Sequence, residues 1–146
     1  MLSINDPAPL FTAESTQGTI DLRDYRGKKN VVLIFYPADE TPTCTKQLCA
    51  AQDAFADYDK YDTVVFAVNP ADLDTHHKFA DRFGYEFPLI TDAGGRIRQA
   101  YGVGKILGLF AQQRIVYVID KAGKIIFAQK GNPPTEVLVD VVKNAR

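Results

Sequence analysis

At 146 residues with a net charge of -1, the chain is long enough for one domain with its own core and has no broad basic field for nucleic acid or anionic lipid. Apolar residues make up 46% and charged residues 24%, an ordinary globular balance. No apolar run approaches the roughly 18 residues of a membrane span, and Met1 to Asp6 lack the basic and apolar stretches of a secretion signal. The expectation is a cytoplasmic protein that binds neither nucleic acid nor membrane.

In chain order, Phe11-Thr12-Ala13 and Thr19-Ile20-Asp21 flank a Gln17-Gly18 turn, which predicts a leading hairpin. Val31 to Tyr36 is an almost unbroken apolar run closed by Pro37, as in a strand buried on both faces. A helical pattern follows from Thr41 to about Phe55, then a second buried strand from Thr63 to Val68. Asp72 caps a predicted helix that runs to Phe83 and stops at Gly84. Phe87 to Ile90 reads as a short strand and Arg96 to Tyr101 as a short helix. Ile115 to Ile119 and Lys124 to Ala128 form strands around Ala122-Gly123, and Thr135 to Asn144 is the last helix. With no repeat or linker, one domain over 1–146 is expected. Strands alternating with helices, then a terminal hairpin and helix, predict an α/β fold: a thioredoxin-like three-layer sandwich around a mixed sheet, with the extra N-terminal hairpin.

The two cysteines, Cys44 and Cys49, stand five apart. The two histidines, His76 and His77, lie far away in sequence and no zinc spacing is present, so metal is the weakest reading. With Thr41 as N-cap and Pro42 at the first helical position, Cys44 falls in the first turn. Unpaired N–H groups and the positive end of the helix dipole there favour a thiolate, the nucleophilic form. Cys44, Leu48, Ala51 and Phe55 share one stripe of the helix, and Cys49 lies off it. A buried, inert core cysteine fits the same stripe. Arg114 shares a strand face with Val116 and Val118. It is either a strand-end arginine whose head reaches water or a guanidinium aimed at an anion at the sheet's end. His76-His77 sits mid-helix and reads as solvated or packed, and Arg96 and Arg98 as a solvated face.

Pro37-x-x-x-Thr41-x-x-Cys44 resembles the active-site pattern of the peroxiredoxins. The string Tyr36-Pro37…Thr41-Pro42-Thr43-Cys44-Thr45, with a cysteine five residues on, is similar to the bacterioferritin-comigratory (peroxiredoxin Q) branch. Asp6-Pro7-Ala8-Pro9, Lys78-Phe79-Ala80, Phe87-Pro88-Leu89, Ala100-Tyr101-Gly102-Val103 and Arg114…Ile119-Asp120…Gly123-Lys124-Ile125 follow in the expected order.

The resemblance implies a thiol peroxidase acting on hydrogen peroxide and organic hydroperoxides. Cys44 would be the peroxidatic nucleophile and Cys49 the resolving thiol of an intramolecular disulfide. Thr41 would place its hydroxyl on the peroxide, Arg114 would hold the thiolate and the peroxide oxygens, and Pro37 would shield the site from water. A dithiol such as thioredoxin would recycle the enzyme, as a monomer or weak homodimer, with no metal, haem, flavin or other cofactor. The alternatives are a thiol–disulfide oxidoreductase, which expects Cys-x-x-Cys, and a non-catalytic redox sensor, which needs neither Thr41 nor Arg114.

Three departures from the branch stand out. Thr43 replaces a common glycine, and Ala38 a common basic residue. Asp39 and Glu40, if near Cys44 in space, are expected to oppose its ionisation. The third is the apolar segment Lys105-Ile106-Leu107-Gly108-Leu109-Phe110, which fits core, a dimer contact or a docking patch for the reductant, with buried packing the expectation.

Overall fold

The computed structural model describes residues 1–106 and 111–145. Seven strands form one mixed sheet: β1 (Thr12–Ser15), β2 (Gly18–Asp21), β3 (Asn30–Phe35), β4 (Thr63–Asn69), β5 (Leu89–Thr91), β6 (Ile115–Ile119) and β7 (Ile125–Lys130). The spatial order is β2-β1-β5-β4-β3-β6-β7. Strands β3, β4 and β5 run parallel, while β6, β7 and the β1–β2 hairpin join antiparallel.

The helices are α1 (Pro42–Asp53), α2 (Phe55–Lys60), α3 (Leu73–Phe83), α4 (Arg96–Ala100) and α5 (Thr135–Lys143). The chain steps from β3 to β4 to β5 in one direction, so right-handed crossovers put α1, α2 and α3 on the same face. That face buries Val32, Ile34 and Tyr36 against Cys44, Leu48, Tyr58, Phe79, Leu138 and Val142. The alternate residues Val31, Leu33 and Phe35 face the other way, onto Leu22, Ile97, Tyr101 and Val103. The three layers and the leading hairpin expected from the sequence are present.

Helix α3 starts as the sequence indicates, with Asp72 accepting from the Thr75 N–H at 2.8 Å, and ends at Gly84, whose φ of 69° favours a residue without a Cβ. The helical run expected from Thr41 to about Phe55 is α1 as far as Asp53, and a turn at Ala54 (φ -91°, ψ 6°) separates it from α2, which begins at Phe55. The segment expected to be core is exposed at Lys105 and Ile106, and its residues 107–110 lie outside the described part.

Candidate active site

Pairing fixes the site. Phe35 faces Ile115 across the antiparallel β3–β6 ladder, so Arg114 comes level with Tyr36, where the chain leaves β3 for α1. The intervening loop bends at Glu40, which takes a left-handed backbone (φ 61°). Thr41 then has an extended N-cap conformation, and Pro42 opens the helix. Cys44 is the third residue of α1 and only 1% exposed.

Arg114 crosses the gap between sheet and helix. Its Nη2 donates to Cys44 Sγ at 3.2 Å and its Nη1 to Gln47 Oε1 at 2.6 Å. Two of its forked donors are thus used at once, one on the sulfur and one on an amide buried in the same helix face. Of the two readings left open for Arg114, the strand-end one is wrong: the head turns inward. Gln47 escaped attention in the sequence. The signal was available, since three residues after Cys44 lands on the same helix face.

Thr41 occupies the N-cap position, but its hydroxyl does not cap. It donates to the Ala38 carbonyl at 3.2 Å and stays at the exposed rim. Pro37 is half-buried at the end of β3. Cys49 is half-exposed on another side of α1, and its Sγ lies 3.4 Å from the Tyr85 hydroxyl. That hydroxyl also donates to the Thr45 carbonyl at 3.4 Å. Burial, followed by the contact with Cys49, pushes the Tyr85 phenol far above its ordinary range, so it remains a donor. Cys44 and Cys49 are both free thiols, and an unbroken helix separates them.

The two acids do not stand bare beside the sulfur. Glu40 is exposed and paired with Arg82 at 2.9 Å. The Asp39 carboxylate turns inward onto His76 at 2.7 Å, with side-chain exposures of 3% and 0%. In the fold each of the two acids has a side-chain partner. His76 is fully buried and hydrogen-bonded, while His77 is exposed. Arg98 is also not simply solvated, because its Nη1 donates to the Val103 carbonyl at 2.9 Å. Gln112, unremarked in the sequence, is buried and donates from Nε2 to Tyr36 O and Val68 O at 3.0 and 2.7 Å, tying the ends of β3 and β4 together.

A profile of the AhpC/TSA family matches residues 4–128. The chain belongs to this family. Within it, the chain is 40% identical to the chloroplastic peroxiredoxin Q of Triticum aestivum over 118 residues, 80% of this chain and 54% of the relative. It is 35% identical to the alkyl hydroperoxide reductase E of Mycobacterium bovis over 136 residues, 91% of this chain and 88% of the relative. The peroxidoxin BcpB of Mycobacterium tuberculosis shares its fold with a TM-score of 0.91 at 24% identity, covering 100% of this chain and 99% of that one.

The AhpC/TSA chain described here spans about half the length of the chloroplastic peroxiredoxin Q sequences it matches, 54% to 63%. Its likeness to the peroxiredoxin Q type agrees with the Tyr36 to Thr45 string and the cysteine at 49. Among the described residues, no group of three or more His, Cys, Asp or Glu side chains is arranged to hold a metal ion.

Proposed function

We propose that the chain is a thiol-dependent peroxidase in which Cys44 reduces hydrogen peroxide or an organic hydroperoxide. One observation carries the reading: a guanidinium nitrogen 3.2 Å from a buried sulfur in the first turn of a helix. A cation and unpaired N–H groups around one sulfur favour its anionic form and offer donors to the oxygens of a peroxide.

The Cys44 thiolate attacks the nearer peroxide oxygen, and the O–O bond breaks. The leaving oxygen carries the electron pair away and takes a proton, giving water or an alcohol. Cys44 becomes a sulfenic acid. Arg114 is the fixed donor for the charge that grows on the oxygens, and the rim hydroxyl of Thr41 is the second donor once it turns from the Ala38 carbonyl to the peroxide. Pro37 walls the sulfur from bulk water.

Cys49, as a thiolate, then attacks the Cys44 sulfur. The S–O bond breaks, hydroxide leaves as water with the proton Cys49 has shed, and a disulfide forms. A dithiol protein of the thioredoxin type returns both cysteines to thiols. Purified protein given hydrogen peroxide and a thioredoxin system should consume reductant continuously, and Cys44→Ser should abolish this with the fold intact. Turnover that persists in Cys44→Ser would refute the assignment.

A further inference from the structure

One buried polar cluster takes no part in this chemistry. Beneath the loop that carries Thr41, the Asp39 carboxylate meets Tyr36, Asn69 and His76. The His76 Nε2 is 3.1 Å from the Ile90 carbonyl. A carbonyl only accepts, so that nitrogen bears a hydrogen. Asp39 Oδ1 accepts from the Tyr36 hydroxyl and from Asn69 Nδ2, the latter at 3.0 Å, which leaves Oδ2 for His76 Nδ1 at 2.7 Å. Two lone pairs cannot face each other at that distance, so a proton lies between them. Whether it belongs to the ring or to the carboxyl group, the pair carries no net charge.

This neutrality matters because Asp39 and Cys44 share the same low-dielectric surroundings. The Tyr36 phenol, pushed up first by burial, is raised further by charge on Asp39 and by charge on Cys44. A bare Asp39 carboxylate here would oppose an anionic sulfur with little solvent screening. The other groups around the pair do not replace the shared proton. Tyr36 and Tyr85 are held neutral by burial, and Asp72 caps α3 in solvent. Glu40 is occupied by Arg82, and Arg114 lies against Cys44 and Gln47.

We propose that His76 is a positioning residue for the peroxide reaction, whose shared proton cancels the buried Asp39 charge and so preserves the Cys44 thiolate. The same pair pins the loop from Pro37 to Thr41 onto α3. The proposal rests on the reading of Cys44 as the reacting thiol, but its test needs no peroxide.

The test compares His76→Gln, Asp39→Asn and the double variant at the pH where half of wild-type Cys44 is ionised. Thiolate is read by ultraviolet absorbance and by the rate of alkylation of Cys44 with iodoacetamide. In His76→Gln, Asp39 is left as a bare carboxylate and the thiolate should fall on the order of tenfold. In Asp39→Asn the ring becomes neutral and the thiolate should stay within about twofold of wild type. The double variant should recover what His76→Gln loses.

A purely structural clamp makes a different forecast: Asp39→Asn as damaging as His76→Gln, and the double no better. That pattern, or an undiminished thiolate in folded His76→Gln, would overturn the proposal. If His76→Gln does not fold, wild-type nitrogen NMR decides. The His76 ring should show a hydrogen on Nε2 and a proton shared at Nδ1, with resonances that move as Cys44 ionises. A ring without the Nδ1 proton, or one indifferent to Cys44, would overturn it equally. Failure of the peroxidase reading would appear separately, as wild-type protein that consumes no peroxide.

Discussion

The Arg114 guanidinium is held by Gln47 at 2.6 Å in the orientation that brings its other terminal nitrogen to Cys44. The two contacts use the planar fork, which an ammonium lacks. Arg114→Lys should therefore lower kcat/KM for peroxide by about tenfold or more, although the charge is retained. In Arg114→Ala the ultraviolet absorbance of the Cys44 thiolate should emerge at higher pH. Unchanged kinetics in both variants would make the contact incidental.

Gln47 acts through Arg114, so its loss should be milder. Gln47→Leu frees the guanidinium to swing and should cost roughly fivefold in the rate of Cys44 oxidation, about the worth of one hydrogen bond. The double variant Gln47→Leu/Arg114→Ala should be no slower than Arg114→Ala alone. Stopped-flow oxidation rates for the four proteins give the comparison, and independent, additive losses would break the proposed link.

The disulfide cannot form in the helix that holds Cys44 on Arg114. Five residues of intact helix place the two Cα atoms roughly 8–9 Å apart with side chains about 140° apart, beyond disulfide reach. Helix α1 runs unbroken through both positions, and Cys49 faces Tyr85 instead. Oxidation should therefore unwind the stretch from Thr43 to Cys49 and withdraw Cys44 from Arg114. Hydrogen exchange should show protection of the amides from Cys44 to Ala51 in the reduced protein and its loss in the oxidised one. Equal protection in both forms would mean no such disulfide.

Alkaline stability should follow the buried phenols. Burial, with the nearby Asp57 charge, pushes Tyr58 from an ordinary 10.0 up to about 12. A raised folded value means the unfolded chain loses its proton first. Stability is then intact below pH 10.0 and drains away as the pH rises toward about 12. Urea midpoints measured across that window should fall in the wild type and fall less steeply in Tyr58→Phe. Parallel curves would locate the alkaline loss elsewhere.

What the sequence made legible was local. Strand β3 announces itself by continuous apolar residues, and the start of α1 by Thr41-Pro42, because burial on two faces and helix initiation each leave a mark within a few positions. The break at Ala54 leaves none, since neither glycine nor proline marks it. His76 was half-legible. His76, Phe79, Ala80 and Phe83 recur at helical spacing, a stripe that marks His76 as inward-facing. Its partner Asp39 is 37 residues away and meets it only once the loop after β3 folds over α3. For the same reason Asp39 read as a liability to the thiolate, when in the fold it is one half of a neutral pair.

Cys49→Ser isolates the transfer of an oxygen atom from peroxide to Cys44 by removing the thiol that would consume the product. One equivalent of hydrogen peroxide added to this variant, followed by a sulfenic-acid trap and peptide mass spectrometry, reads it directly. One trapped adduct per chain, on Cys44, should form within the time the peroxide disappears. An unmodified Cys44 with the peroxide still in solution would contradict that transfer.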